Sequence, residues 1–486
     1  LTGFIDAEEQ RMNAVGTEIR GALLPQGESD TAVNVQIEGG AIAAVDASTG
    51  QETSPASGSG SVVSGTNKLL LPGFVNAHTH SSEMWQRGLI PMLPLELWLA
   101  DLYDTSPMEP EMIYLSALGT AVETLLSGGT TVVDHLAMIP GKELESVEAA
   151  VRAYRDVGIR AFVGPLIQDS NLPDSVPSGG IPRETQPYPM STDATLDFMK
   201  TVIDKFHAPE DGIFIMMAPT GAQLCSDALL EGCVALSDRH SLCRHTHLLE
   251  TKVQQMHAYE KYGHSAVEHL HQLGFLGDRT SLAHCVWLTE ADTQILATTG
   301  STAVHNPLSN LRLGSGIAPI LKYRQAGINV AFGCDGAASN DSQDVLEVLK
   351  IGSILHNTTT FEYRDWISPR AAVQMAAQGG ATGLGLGDRL GKVAPGYSAD
   401  LVLYDLTSLS LLPRTDPVGL LVLGRPTQVV DAVWVAGKPV VVDGNVTTVD
   451  VEGLTQALLE RQQKFPSLTT RAEMEPHYRH IMTLAD

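Results

Sequence analysis

The sequence is poor in cysteine and in positive charge. Its five cysteines, Cys225, Cys233, Cys243, Cys285 and Cys334, are scattered, odd in number and never spaced C-x-x-C. That pattern argues against a disulfide framework and points to a reducing, cytoplasmic setting. Lysine and arginine total 31 against 56 aspartates and glutamates, for a formal net charge of -25. Such a surface repels phosphate backbones, so binding of nucleic acid by a basic face is not expected. No apolar run approaches the ~20 residues needed to span a bilayer. The start, Leu1-Thr2-Gly3-Phe4, lacks a basic segment followed by an apolar core, so no signal peptide is expected. Several catalytic signatures are missing as well. There is no H-E-x-x-H of a zincin protease, no H-x-E with P-C-x-x-C, and no G-x-S-x-G elbow. No G-x-G-x-x-G follows an early strand, which counts against a doubly wound dinucleotide-binding sheet, the second-ranked fold.

What is present is a repeat of short β-branched runs, each with a ligand-rich end and a helical stretch after it. Eight such runs are Leu69–His80, Thr130–His135, Ile159–Pro165, Ile213–Pro219, Leu242–Glu250, Ser281–Cys285, Ser301–Pro307 and Asn329–Asp335. Helical character lies between them, as in Glu111–Leu126, Glu143–Asp156, Ala194–Phe206 and Val253–Leu273. Alternating strands and helices imply parallel βαβ units, and eight units fit a (β/α)8 barrel of TIM type. Alternating runs at Val33–Ile37, Ala41–Asp46, Leu401–Asp405, Val429–Val435 and Lys438–Val442 predict a small β-sandwich domain built from both chain ends. The expected division is 1–70 and 390–450 for that domain, 71–389 for the barrel, and 451–486 for a helix over Val451–Gln463 followed by a proline-containing tail. Thr53–Gly65, rich in Ser and Gly, reads as a surface loop.

Side chains two apart on a strand point the same way, so His78 and His80 leave the first barrel strand side by side. Barrel geometry gathers the later strand ends, His245-Thr246-His247-Leu248-Leu249-Glu250, His284 and Asp335, around one mouth. His78, His80, His247 and Asp335 then make a shell of three nitrogens and one oxygen, a set that suits one zinc ion with an open water position. His245 is the alternative to His247. Glu250 and His284 remain beside the shell, free to move the protons that hydrolysis of a C–N bond requires. No lysine ends the fourth run, so one metal is expected rather than two. His240, His257, His264, His269 and His271 read as surface residues.

With these pieces in place the chain resembles the amidohydrolase superfamily, and within it the triazine-hydrolase and cytosine-deaminase-like aminohydrolases. The resemblance rests on Pro72-Gly73-Phe74-Val75-Asn76-Ala77-His78-Thr79-His80, His247-Leu248-Leu249-Glu250, Val304-His305-Asn306-Pro307-Leu308-Ser309-Asn310 and Gly333-Cys334-Asp335-Gly336. Gly391-Lys392-Val393-Ala394-Pro395-Gly396 adds to it where the chain returns to the small domain. It implies one divalent ion, zinc or alternatively iron, on His78, His80, His247 and Asp335. It also implies Glu250 as the acid that protonates the ring nitrogen, His284 as the residue that orients the attacking water, and Asp335 as a proton shuttle. The expected activity is hydrolytic deamination of an aminated nitrogen heterocycle (purine, pterin or triazine), by a homo-oligomer.

The segment Ala218-Pro219-Thr220-Gly221-Ala222-Gln223 lacks the histidine of the Pro-His-x-x-Tyr-Thr segment of adenosine-type relatives, which favours a bare ring over a nucleoside. Alternatives are displacement of chloride or alkylamine from a triazine, deamination of an adenosine-type nucleoside, and a non-catalytic scaffold. Trp85, Arg87, Glu96 and Trp98 are candidates to face substrate, with Trp85 or Trp98 stacking on a flat ring. Asn306 and Asn310 are candidates to read ring edges, with loop capping as the other reading. His135 is either pocket-lining or structural.

Overall fold

The computed structural model describes residues 16–27, 29–48, 61–105, 109–178, 187–461 and 470–485. The apolar run over 69–80, expected to be one strand, is two, and the break between them organises the molecule. Lys68–Pro72 (β5) belongs to the small domain and Phe74–Thr79 (β6) to the barrel. Pro72 has no N–H to continue a ladder. At Gly73 an added Cβ would lie 2.2 Å from Thr130 Oγ1, so only glycine lets the chain pass from one sheet to the other.

Both chain ends contribute to the small domain. Its strands are β1 (Thr17–Gln26), β2 (Ser29–Glu38), β3 (Ala41–Ala47), β4 (Ser61–Ser64), β5, and, after the barrel, strands at Leu401–Asp405, Val430–Val435, Lys438–Val442 and Asn445–Val446. They form one nine-stranded sheet in which Leu401–Asp405 pairs antiparallel with β5. Ile19, Val33, Val35 and Ile37 from one arm share an apolar core with Leu401, Leu403 and Trp434 from the other. β4 pairs in parallel with β1 and falls within the segment expected to be a loop. Residues 53–60 of that segment lie outside the described residues.

The barrel continues from β6 through β7 (Gly129–Leu136), β8 (Arg160–Ile167), β9 (Ile213–Ile215), β10 (Ala218–Pro219), β11 (Arg244–Leu248), β12 (Thr280–His284), β13 (Thr302–His305) and β14 (Val330–Phe332). The fourth run is split between β9 and β10, both of which pair with β8. Parallel ladders form two arcs, β6 to β10 and β11 to β14. Bridges Met217–Arg244 and Gly221–His247 join the arcs on one side. On the other, the Asp335 N–H donates to the His78 carbonyl at 2.8 Å. The result is the (β/α)8 barrel.

Three helices bear on the chamber at the barrel mouth: α1 (Leu95–Asp104), α2 (Lys252–Tyr262) and α3 (Thr470–Ala485). The helical stretch expected over Val253–Leu273 is two helices. Gly263, with φ +76°, ends α2, and Ser265 accepts the Glu268 N–H to start Ala266–Gln272. The proline-containing tail holds α3, with Pro476 inside it. Its Met474, Tyr478, Ile481 and Met482 follow helical spacing and pack with Leu97 and Ala100 of α1. His257 and His269 are buried rather than at the surface. The His269 ring stacks on Tyr262 with centroids 3.7 Å apart, and its Nε2 meets Asp227 at 2.8 Å. Among the described residues no helix is long and apolar enough to cross a membrane.

Arg160 at the base of β8 ties the barrel to the small domain. Its Nη2 donates to Asp400 Oδ2 at 2.8 Å, and the Asp400 side chain is 1% exposed. Removing one partner of a buried pair leaves the other charge unpaired. R160A is therefore expected to cost about 3 kcal/mol in urea unfolding. A loss below about 0.5 kcal/mol, as for an ordinary surface change, would show that the pair does not couple the two parts.

Candidate active site

The site is assembled at the C-terminal ends of four barrel strands. His78 ends β6 and His80 follows it. His245 and His247 lie two apart on β11, and His284 closes β12. Asp335 follows β14. Three of the turns that present these side chains have left-handed backbone: Leu249 has φ +45°, His284 +74° and Asp335 +65°. Such conformations cost of order 1–3 kcal/mol each in non-glycine residues and cluster where function requires them.

Tautomers follow from the outer hydrogen bonds. His80 Nδ1–H donates to the His135 carbonyl at 2.6 Å, and His247 Nδ1–H to the Thr220 carbonyl at 2.6 Å. His245 Nδ1 meets Ser281 Oγ at 2.7 Å, and that hydroxyl is already turned toward the Arg244 carbonyl. His245 Nδ1 is thus the donor and its Nε2 the acceptor for His78 Nδ1–H, 2.7 Å away. Each of His78, His80 and His247 in its neutral form therefore turns an Nε2 lone pair inward. His80 Nε2 and His247 Nε2 are 3.1 Å apart, and Asp335 Oδ1 lies 3.3 Å from His78 Nε2 and 3.4 Å from His80 Nε2. His78 Nε2 is buried without a hydrogen-bond partner among the described residues. Lone pairs and a carboxylate facing one another with no donor between them repel unless a cation joins them. The donor set fits a divalent metal.

The electrostatics agree. Burial pushes His78 down to about 4. Burial and neighbouring imidazoles drive His245 and His247 well below the usual histidine value, which keeps them neutral. His80 is the exception. Burial lowers it too, but the carboxylates of Glu83 and Asp335 outweigh that and leave it raised. Burial alone would raise Asp335, yet the neighbouring rings of His78, His284 and His80 hold it well below the carboxylate range.

His245 sits one layer deeper than His247 and supports His78 from behind, so β11 contributes one imidazole to the centre and one to its support. His284 Nδ1–H donates to Asn310 Oδ1 at 2.9 Å, leaving Nε2 3.5 Å from Glu250 Oε2 and 3.9 Å from Asp335 Oδ2. Burial raises Glu250 above the usual carboxylate range, so it holds a proton more readily. Ser315 Oγ donates to Glu250 Oε1 at 3.0 Å, and the Gln254 side chain accepts the Glu250 N–H at 2.8 Å.

Above the cluster opens a cavity that communicates with solvent. Leu95, Trp98, Leu99 and Leu102 form one stripe of α1 along its wall, and Leu166, Leu224 and Leu313 complete its apolar surface. Of the seven residues expected to face substrate, Trp98 alone lines this cavity. Trp85 Nε1 donates to the Met112 carbonyl and its ring packs on the barrel core. Arg87 forms a two-pronged pair with Glu123 at 2.7 and 2.8 Å. Glu96 accepts from Thr251 Oγ1 at 2.6 Å. His135 stacks behind His247 and donates to the Ala218 carbonyl. Asn306 and Asn310 are spent on the back of His284.

Glu83 lines the cavity; it belongs to the loop Ser82–Arg87, which the sequence offers as facing the pocket, but Trp85 and Arg87 are the residues singled out from it. Ser81–Gln86 forms a 3-10 helix, in which residues three apart share a face. That period carries the direction of His80 on to Glu83, not to Trp85 or Arg87.

Comparison with known proteins gives the same picture. The family model described as "Amidohydrolase family" matches residues 69–440. The 5-methylthioadenosine/S-adenosylhomocysteine deaminase of Syntrophomonas wolfei is 32% identical over 410 residues, 83% of this chain and 88% of that protein. The 8-oxoguanine deaminase of Pseudomonas aeruginosa is 30% identical, covering 82% of this chain and 88% of its own. The structure of an atrazine chlorohydrolase from Arthrobacter aurescens TC1 complexed with zinc superposes with a TM-score of 0.82 at 25% identity, covering 92% of this chain and all of that one.

Burial, partly offset by the Thr251 hydroxyl, holds Glu96 up at about 7 against an ordinary 4.5. A carboxyl that keeps its proton on folding adds stability that is complete below 4.5 and is lost as pH rises through about 7. E96Q keeps the acceptor oxygen and removes the titration. Relative to E96Q, the native protein is expected to lose on the order of 3 kcal/mol between pH 4.5 and 8 in urea unfolding. A pH-independent difference would show that Glu96 titrates normally.

Proposed function

The chain belongs to the amidohydrolase family, and we propose that it is a metal-dependent aminohydrolase that converts an aminated nitrogen heterocycle to the ring carbonyl and ammonia. The observation that carries this reading is the inward set of three Nε2 lone pairs and the Asp335 carboxylate with no proton donor among them. His78, His80, His247 and Asp335 would hold one divalent ion, with zinc favoured by the zinc-complexed relative. When bound, such an ion acts as a Lewis acid that brings the pKa of water toward ~7.

The remaining chemistry falls to the chain's own groups. Glu250, whose hold on a proton is strengthened by burial and which Ser315 and Gln254 position, delivers a proton to the ring nitrogen beside the carbon under attack. His284, aligned by Asn310, spans the gap between Glu250 and Asp335 and orients the attacking water. Asp335 takes the second proton and returns it to the departing amine. Water adds to the ring carbon through its oxygen and the C–N bond breaks; one of its protons passes through Asp335 to the amine, which leaves as ammonia, and the other, lost as the carbonyl forms, returns to Glu250 in place of the one given to the ring nitrogen.

The zinc-complexed chlorohydrolase relative supports a second reading, displacement of chloride or alkylamine from a triazine on the same centre. Release of ammonia against chloride over a panel of purines, pterins and triazines separates the two. Absence of the histidine in Ala218–Gln223 favours a bare ring over a nucleoside. A complete ligand set speaks against a non-catalytic scaffold. A cytoplasmic homo-oligomer is proposed with it, supported by five free, buried cysteines for the setting and by family resemblance for the assembly.

E250Q is expected to retain about one metal per chain and to lose at least ~100-fold in turnover, the usual size of general acid–base effects. Metal analysis and ammonia release on the same sample check both. Near-native turnover in the variant would refute the role given to Glu250.

A further inference from the structure

The catalytic roles use two of the three carboxylates in the cavity, Glu250 and Asp335, and leave Glu83 without a task. Glu83 is 4% exposed, and its carboxyl accepts one long hydrogen bond among the described residues, from Ala338 N–H to Oε2 at 3.4 Å. Among the described residues no lysine or arginine pairs with it or lines the cavity. His80 acts on it through charge but donates it no hydrogen bond, because Nδ1 is bonded to the His135 carbonyl and Nε2 faces His247. The fold nevertheless makes room for this head group. A Cβ at Gly336 would lie 1.7 Å from Glu83 Oε2 and 2.4 Å from Cδ, so only glycine after Asp335 admits the carboxyl. A buried carboxyl without donors is costly unless something supplies them.

We infer that Glu83 is a specificity-determining residue that accepts N–H donors from a second edge of the substrate ring, apart from the nitrogen served by Glu250. The inference rests on the aminohydrolase reading and names its substrate class: flat, neutral or cationic heterocycles that carry a further amino group beside a ring nitrogen. An exocyclic amino group at that edge offers its N–H donors to the carboxylate oxygens. A ring with a carbonyl there sets acceptor against acceptor. A ring bearing phosphate or carboxylate finds no lysine or arginine in the lining and sets its charge against Glu83, so it is disfavoured by repulsion. The apolar wall and Trp98 bind the ring faces without adding discrimination.

Aminotriazine, diaminotriazine and amino-oxo-triazine differ at one substituent, and the threefold pseudosymmetry of the ring lets any edge reach Glu83. Their affinities are to be measured by calorimetry on the metal-loaded E250Q protein, in which turnover is blocked, and on the same protein carrying E83Q. The diamino ring is expected to bind at least about tenfold tighter than the amino-oxo ring to the protein with Glu83, and E83Q is expected to erase or reverse that ratio. Equal binding of the two rings by the protein with Glu83 overturns the inference, with no reliance on the variant. So does failure of the diamino ring to bind, or a ratio in folded, metal-loaded E83Q protein within threefold of the parent's. Native enzyme that releases no ammonia from any ring refutes the aminohydrolase reading instead, and the binding ratio still decides the role of Glu83.

Discussion

The structure depends on one constraint: three imidazoles from two strands must present unprotonated nitrogens to the same point beside a carboxylate. Nothing in the centre itself enforces this. It is enforced from outside, by the carbonyls of His135 and Thr220 and by the relay from Ser281 through His245 to His78. Each outer partner occupies Nδ1 and so decides what Nε2 can do. The barrel makes such control available because β-strand side chains alternate. One residue of a strand reaches the mouth while its neighbour two positions away supports a ligand candidate from a different, non-adjacent strand.

Period-two patterning made the barrel and its ligand-bearing strand ends readable from the chain. His78, His80, His245 and His247 obey it, and Asp335 follows a β-branched run by three residues. The same rule could not separate His245 from His247, since both point inward and depth alone distinguishes them. It also missed the division at Pro72 and Gly73, where two strands of different sheets run on without a polar break. Trp85 and Arg87 were attractive by residue type, yet their partners, the Met112 carbonyl and Glu123, lie far along the chain and leave no local trace. Glu83 was recoverable only by reading the loop after His80 with a period of three. α3 was obscured by Pro476, although Met474, Tyr478, Ile481 and Met482 carry its helical spacing.

The cavity divides its labour sharply. One side is polar and reactive, with every carboxylate assigned or available to substrate. The other is almost wholly aliphatic and supplied by α1 and scattered leucines. A flat ring with polar edges and apolar faces matches that division, and solvent has little reason to remain once such a ring enters.

α1 is held on its far side by α3, through the Leu97 and Ala100 contacts and through Arg471, which reaches the fully buried Asp101 at 3.1 Å. The reacting centre and the cavity wall therefore answer to different parts of the chain, strand ends for the one and a distant terminal helix for the other. Drift in the last helix can remould the shape of the chamber while the proton-transfer apparatus stays untouched. A lineage with this layout can explore new ring shapes without first surrendering its chemistry.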